Sequence, residues 1–368
     1  MALVMVGGAL VLTTTTVPAM ADEITFQDST VINAGAGFAN SGGNTATGNS
    51  STNIAATGQG AAGGIASNSA TTSNTSTGTG TVNTGAATAT GSVADNNVDQ
   101  SVAGTGDDDG LTVGVQDSDV VNVGVAGSNT GGNDATGNDS TNIAATGQGA
   151  LGGVASNSAT TSNASTGTGA VNTGAATAIG TSSANDVDQS IHTGVHDGLA
   201  VLVQDADVIN IGAGFANSGG NSATGNLSTN VAATGQGAAG LIANNNATTG
   251  NTSTGTGTVT TGVATAIGNL ASNAIDQDIH GPSGDDILAI AFQDALAVNI
   301  GIGVANSGGN TADGNLSQNF GLVGQGAAGL IANNLSSLTN ASDGAGLITT
   351  GTATGKGNEA ANDITQNS

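Results

Sequence analysis

The sequence has 368 residues, contains no Cys, Trp or Tyr, and carries a single cationic side chain, that of Lys356. Without Cys, no disulfide framework can stabilise the fold. With one Lys and no Arg, the chain cannot neutralise a row of phosphates, so nucleic-acid binding is excluded, and so is adhesion to anionic membranes through a basic patch. The 26 acidic residues give a formal net charge of −25, which favours solubility and repulsion between copies.

Bulky apolar side chains are also scarce. The chain has five Phe, is 37% hydrophobic, and contains 63 Gly. A low content of large apolar residues combined with high net charge is typical of disordered chains. An ordered fold therefore needs a source of stability other than a large apolar core, and a disordered, low-complexity secreted chain is one alternative.

The amino terminus carries the pattern of a secretory signal. An apolar run from Ala2 to Leu12 is followed by Ala19-Met20-Ala21, the small-x-small pattern of a cleavage site. The run is too short to span a bilayer. We predict a signal peptide over residues 1–21, a mature chain that starts near Asp22, a secreted or cell-surface location, and no membrane insertion after cleavage.

Four copies of one unit make up the rest of the chain. Gln-Asp pairs begin at positions 27, 116, 204 and 293, in steps of 88 or 89 residues. The stretch STNIAATGQG at 51–60 returns at 140–149, and related stretches occupy 228–237 and 317–326. We predict one repetitive domain over 22–368, with repeats at approximately 24–110, 111–198, 199–287 and 288–368.

The inside of each unit suggests a further subdivision. Asn33, Asn53, Asn74 and Asn97 fall every 20–23 residues, beside Gly or Ser, and the Thr- and Val-rich alternation of 82–91 is typical of strands. This spacing matches a solenoid coil. We predict an all-β fold, a β-solenoid (β-helix-like) rod of about sixteen ~22-residue coils in four ~88-residue repeats, roughly 75 Å long at the usual strand spacing.

Stacked coils explain the repeated amides. Equivalent side chains in successive coils lie about 4.8 Å apart, and Asn and Gln suit such columns because each amide both donates and accepts. Gly58 and Gly60 are expected at tight corners. The predicted ladder or turn residues are Asn33, Asn53, Gln59, Asn83, Gln100, Asn122, Asn142, Gln148, Asn172, Gln189, Asn210, Asn230, Gln236, Gln277, Asn299, Asn319 and Gln325.

Some segments resemble a known family. Gln59-Gly60 with Asn68-Ser69-Ala70, and Gln148-Gly149 with Asn157-Ser158-Ala159, resemble the curlin-type amyloid repeats of bacterial surface fibres. The broader similarity is to secreted bacterial β-solenoid proteins. These resemblances imply surface or matrix roles.

Metal binding has weak support in the sequence. His192, His196 and Asp197 would point toward one metal ion only if they lay on a helix, and Gly194 argues against a helix there. Exposed loop histidines and no metal site are therefore predicted. The acidic stretches 107–109 and 285–286 lack the spacing of a calcium loop. Solvated acidic turns are favoured, with weak Ca²⁺ binding as the open alternative and no other cofactor.

The chain also contains rows of threonine, and it has few residues suited to catalysis. Thr75, Thr77, Thr79 and Thr81 form a row that returns as alternate residues over 252–258 and resembles the ice-binding faces of antifreeze proteins. Such a face needs Thr in consecutive coils, whereas this row recurs once per 88 residues, so β-propensity explains it better. Without Cys, Tyr, Trp or Arg, and with every motif repeated, the chain is predicted not to be an enzyme and no catalytic residue is assigned.

The function expected from these patterns is that of an extracellular structural or interaction protein. It would present a repetitive polar β-surface at the cell surface or in a matrix, in adhesion, biofilm or filament formation. Its expected partners are further copies of itself or other surface polymers, with no nucleic acid. An ice- or calcium-binding secreted solenoid is the alternative.

Overall fold

The computed structural model describes residues 3–4, 15–16, 23–62, 65–104, 110–151, 154–193, 198–239, 242–281, 287–327 and 331–368. Within these ranges the chain forms strands joined by short turns, and no helix is present. The strands are β1 (Leu3–Val4), β2 (Thr15–Thr16), β3 (Glu23–Asn40), β4 (Thr45–Ala62), β5 (Ile65–Asn83), β6 (Ala87–Gly104), β7 (Gly110–Asn129), β8 (Asp134–Leu151), β9 (Val154–Asn172), β10 (Ala176–Thr193), β11 (Gly198–Asn217), β12 (Ser222–Ala239), β13 (Ile242–Thr260), β14 (Ala264–His280), β15 (Ile287–Asn306), β16 (Thr311–Ala327), β17 (Ile331–Thr349) and β18 (Ala353–Asn367).

Each strand pairs in parallel with its counterpart in the next repeat. Four strands make one coil: β3–β6 form coil one, β7–β10 coil two, β11–β14 coil three and β15–β18 coil four. The stacked coils create four parallel sheets: sheet A (β3, β7, β11, β15), sheet B (β4, β8, β12, β16), sheet C (β5, β9, β13, β17) and sheet D (β6, β10, β14, β18). The predicted all-β solenoid with four repeats is confirmed, and the disordered alternative is set aside.

The predicted size of the coil is wrong. Asn33 lies opposite Asn122, and Asn122 opposite Asn210, so successive coils are 88 or 89 residues apart. The sixteen predicted coils are sixteen strands, and the spacing of 20–23 residues between Asn33, Asn53 and Asn74 reflects strand length within one coil. Four coils at about 4.8 Å per coil stack to roughly 19 Å along the axis, so the expected 75 Å rod does not form.

Two layers of strands face each other across a thin interior. Along one coil, β3 packs on β6 and β4 packs on β5, because the chain runs out along the first two strands and returns along the next two. The layers are offset along the axis, since Asn96 of β6 contacts both Asn33 of coil one and Asn122 of coil two. Side chains of one layer therefore interdigitate between two coils of the other.

The turn between the two outgoing strands is built by a repeated Gly and Asn. Gly43 has a φ of 79°, and Gly132, Gly220 and Gly309 repeat this left-handed conformation. The Asn44 amide closes the turn by donating to the Ser41 carbonyl at 2.8 Å. Gly58 and Gly60, which were expected at corners, lie inside β4 instead. The predicted continuous alternation over 82–91 is likewise interrupted by a turn at 84–86.

Close backbone approach replaces bulky packing in the interior. A Cβ placed on Gly124 would lie 2.0 Å from the Gly180 carbonyl oxygen in the facing layer, so only Gly fits. The buried apolar clusters are small and built mainly from Val and Ala, with a few Ile and Leu residues. The remaining inward positions hold Asn, Gln, Ser and Thr, which must find hydrogen-bond partners inside the protein.

Candidate functional site

A buried amide ladder runs along the centre of the solenoid. In the first column, the Asn33 amide donates to Asn122 at 2.9 Å, Asn122 to Asn210 at 2.8 Å, and Asn210 to Asn299 at 2.9 Å. The second column comes from the facing layer, where the four amides of Asn96, Asn185, Asn273 and Asn362 are joined at 2.6, 2.6 and 2.7 Å. In each of these bonds the earlier coil donates and the later coil accepts.

The two columns are also bonded to each other. Asn96 donates to Asn122 at 3.1 Å, and Asn122 donates to Asn185 at 3.0 Å. Both amide protons of such a residue are used, which satisfies a polar group that is almost fully buried. The sequence predicted the first column and missed the second. Its signal was the Asn that stands two residues before a Val in Asn96-Asn97-Val98 and again in Asn185-Asp186-Val187.

Glutamine forms two further columns, in which the direction of hydrogen-bond donation is reversed. The predicted Gln189 donates to Gln100 at 2.8 Å and Gln277 to Gln189 at 2.9 Å, and Gln366 extends the column at 2.7 Å. A second column was absent from the predicted set; it contains Gln27, Gln116, Gln204 and Gln293, joined at 2.9, 2.9 and 3.0 Å. In both columns the later coil donates to the earlier coil.

The other predicted ladder residues fall into three groups. Asn53, Asn142, Asn230 and Asn319 form a column with bonds of 3.1, 3.0 and 3.0 Å. Asn83 and Asn172 lie exposed at the end of sheet C and are bonded at 2.9 Å. The backbones of Gln59, Gln148, Gln236 and Gln325 share one register, but their side chains lie outside the described residues.

A matched pair of substitutions tests the buried ladder. Asn96→Ala removes three buried hydrogen bonds, one each from Asn33, Asn122 and Asn185, and we expect it to lower the free energy of unfolding by about 1–3 kcal/mol. Asn97→Ala changes the adjacent, exposed Asn and should stay within about 0.5 kcal/mol. Urea unfolding measures both. Equal losses would show that the ladder contributes nothing.

The two ends of the solenoid are open. The strands β4, β5 and β6 at one end, and β15–β18 at the other, each pair with one parallel neighbour among the described residues. At the coil-one end, β1 and β2 lie antiparallel along the edge of β3. Both ends therefore present backbone groups that can pair with another chain.

The coil-four end also leaves inward apolar side chains uncovered. Ile348 is 45% exposed and Ile364 is 43% exposed, whereas their counterparts one coil earlier, Val259 and Ile275, are buried. In coil one, the corresponding Val82 and Val98 are buried as well. The axial offset between the layers explains this difference, because the second layer of coil four has no later coil to lie against.

The outward face of sheet A is apolar. All five Phe residues of the chain are between 47% and 61% exposed, and four of them, Phe26, Phe38, Phe215 and Phe292, lie on this sheet. Gly127 stands between Phe38 and Phe215 in one column, and the gap helps to form a groove of about 610 Å³. The polar surface expected from the sequence therefore does not extend over sheet A, whose exposed apolar face is unusually large for a protein surface.

Two columns of Asp interrupt this apolar face. Asp28, Asp117, Asp205 and Asp294 lie in consecutive coils, and Asp119 and Asp207 pair beside them. Partial burial raises the pKa of Asp117 above its ordinary value, and the neighbouring charges of Asp119 and Asp205 raise it further. Burial and neighbouring Asp residues also raise the pKa values of Asp205, Asp207 and, on sheet D, Asp188.

These raised pKa values predict greater stability in mild acid. A carboxyl whose pKa is higher in the folded chain binds protons more tightly there, so the free energy of unfolding rises as the pH falls from neutral toward the ordinary Asp value of 3.8. We expect the melting temperature to be higher at pH 5 than at pH 7. The triple variant Asp117→Asn, Asp205→Asn, Asp207→Asn should show a weaker pH dependence. A melting temperature that falls over this interval would contradict the assignment.

Threonine side chains form a regular array on the outward face of sheet C. Thr77, Thr166 and Thr254 make one column, and Thr79, Thr168 and Thr256 make the next. The Thr254 and Thr166 hydroxyl oxygens lie 3.2 Å apart. The sequence-based objection to this array is wrong, because a row that recurs every 88 residues lies in consecutive coils, here coils one to three. In coil four, Asp343 and Ala345 replace the Thr residues.

Histidines meet across two coils. His192 at the end of β10 stacks on His280 at the end of β14, with ring centroids 4.5 Å apart and ring planes 8° apart. Both are exposed and both lie on strands, so the predicted loop position of His192 is wrong. His196, Asp197 and the acidic stretches 107–109 and 285–286 lie outside the described residues.

Comparisons with known proteins give no indication of function. No model of a known protein family matches the sequence, and no curated protein matches it. Among the described residues, no helix has the length and apolar character needed to cross a bilayer.

Proposed function

We propose that this chain is an extracellular structural protein whose copies join head to tail, with coil four of one copy stacked on coil one of the next. The observation that carries the proposal is that both ends are open and present the same columns. Asn33 and Gln27 at one end correspond in register to Asn299 and Gln293 at the other. A junction between copies would therefore repeat the junction between coils.

The direction of the ladders favours this polarity. In the Asn columns the earlier coil donates, so Asn362 of one copy is oriented to donate toward Asn33 of a second copy. In the Gln columns the later coil donates, so Gln27 of the second copy would donate to Gln293. Head-to-head stacking would oppose donor to donor in some columns and acceptor to acceptor in others, which costs the bonds of each column.

Apolar contacts support the same arrangement. Inside the solenoid, Ile275 shares a cluster with Val208 and the partly buried Ala297, which belong to adjacent coils of the facing layer. Ile364 repeats Ile275 in coil four and lacks a later coil beside it. The Val31 position of a second copy would supply that contact, since Val31 aligns with Val120 and Val208.

Export would prepare the coil-one end for assembly. Strands β1 and β2 belong to the predicted signal peptide, and both pair with the edge of β3. Cleavage after Ala21 would remove both and free the backbone groups of that edge. The apolar face of sheet A would then remain available for lateral contact with other copies or with surface polymers.

Sedimentation and electron microscopy of the chain 22–368 test head-to-tail assembly. We expect concentration-dependent linear assemblies with an axial repeat of roughly 19 Å per copy. The double variant Ile348→Lys, Ile364→Lys should remain monomeric, because it places charge on side chains that only a second copy would cover. The matched control Ile211→Lys, Leu270→Lys adds the same charge to outward positions of coil three and should assemble.

Two outcomes would overturn the proposal. The chain 22–368 could stay monomeric at every concentration tested, or the coil-four variant could assemble as well as the control. A chain that retains residues 1–21 should assemble less than 22–368, since β1 and β2 occupy part of one edge.

Ice binding is a second candidate function, and the Thr array favours it. Waters hydrogen-bonded at about 2.8 Å in tetrahedral geometry place second-neighbour oxygens about 4.6 Å apart. Consecutive coils place equivalent Thr residues about 4.8 Å apart, which is close to that spacing. The array therefore presents hydroxyl and methyl groups on a rigid sheet, at a spacing close to that between second-neighbour oxygens in ordered water.

Ice-crystal shaping tests the Thr array. The double variant Thr166→Tyr, Thr168→Tyr places bulky rings in its centre, and we expect a loss of faceting and of thermal hysteresis. The control Thr141→Tyr, Thr229→Tyr makes the same changes on sheet B, where both Thr side chains face outward, and should retain the activity. Ice growth that the unmodified chain leaves unaltered would rule out this function.

A further inference from the structure

We propose that His192, Asp278 and His280 bind one divalent transition-metal ion, such as Zn²⁺, between coils two and three. The site would lie on the outward face of sheet D, away from both ends and from the Thr array. It does not depend on head-to-tail assembly.

The parallel register brings the three side chains together. His192 lies directly opposite His280, and Asp278 lies two residues before His280 on the same side of β14. The Asp278 carboxylate is 3.1 Å from the His280 Nδ1. One ligand atom from each of the three residues lies within 4.8 Å of the other two.

The ligand set suits zinc. Two imidazoles and a carboxylate are typical protein ligands of Zn²⁺, and the fourth position would be left to water. In tetrahedral geometry, metal–ligand distances of about 2.0–2.2 Å require the two ring nitrogens to approach within roughly 3.4 Å of each other. His280 is 61% exposed and Asp278 is 32% exposed, so little packing opposes the small rotations that this approach requires.

The surroundings favour a cation. On the same outward face of sheet D, Asp188 and Asp276 lie opposite each other, one outward position before Asp278. A face lined by carboxylates raises the local concentration of divalent cations. Ser190 lies 2.9 Å from the His192 Nδ1 and holds this ring in orientation, as hydrogen-bond partners do for metal-binding His residues.

The site occurs once in the described chain, although the fold repeats. In coil one the position of His192 is held by Ala103, and opposite Asp278 in coil four stands Asn367. Only coils two and three therefore supply the complete set. A sequence search for ligands within one coil misses it, because His192 and His280 are 88 residues apart.

Calorimetric titration of the full chain with Zn²⁺ tests the site. We expect one saturable ion per chain, and at least a tenfold loss of affinity in each of His192→Ala, His280→Ala and Asp278→Asn. Asp276→Asn removes the same charge from a residue outside the cluster, and His196→Ala removes the remaining His. His196→Ala should bind Zn²⁺ as the unmodified chain does, and Asp276→Asn should lower the affinity much less than Asp278→Asn.

A second readout separates coordination from general attraction to an acidic surface. The chain has three His residues, so its imidazole proton resonances are few, and Zn²⁺ should shift those of His192 and His280 together. Ca²⁺ prefers oxygen ligands and should not produce these shifts. The proposal is overturned if Zn²⁺ binding is not saturable, if it survives both His substitutions, or if Asp276→Asn weakens it as strongly as Asp278→Asn.

Discussion

Register between coils is the constraint on which the rest of this structure depends. Each strand of the four coils lies beside a strand of nearly the same sequence, so the Asn and Gln residues of the ladder columns find identical amides at hydrogen-bonding distance. The backbone ladder and the side-chain ladders both run along the solenoid axis and satisfy most of the polar groups that a thin interior buries. The large apolar core that the composition lacks is therefore not required. Close contact between glycine backbones of the facing layers does the packing that bulky side chains do elsewhere.

The same register creates the surface. Any residue that recurs in each repeat becomes an axial column, whatever its chemistry. Thr produces an uncharged array on sheet C, Asp produces lines of like charge with raised pKa values on sheet A, and Phe, Ile and Val leave sheet A with an exposed apolar face. One fold thus carries several chemically distinct faces side by side, and each face can serve a different contact.

The sequence predicts the class of this fold but not the size of its coil. The steps between Gln27, Gln116 and Gln204 reveal the repeat, and the amides at Asn33 and Asn122 reveal the ladder. The error arose because Asn recurs about every 20 residues for a different reason, namely strand length, and period alone cannot say whether a segment stacks on its neighbour or folds back on it. The outward apolar face escaped notice because alternation does not reveal which of two faces lies inside. The His pair escaped because proximity in this fold follows the 88-residue period.

Length changes are confined to particular places in this architecture. Every described strand of coil one pairs with coil two at a separation of 89 residues, and every strand of coil two with coil three at 88. The single-residue difference therefore falls in the connector between one coil and the next, because a deletion inside a strand would turn all later side chains of that strand inside out. Such a protein can lengthen or shorten only by whole coils, through duplication or excision. A duplicated coil would lie between neighbours whose sequences already match its own.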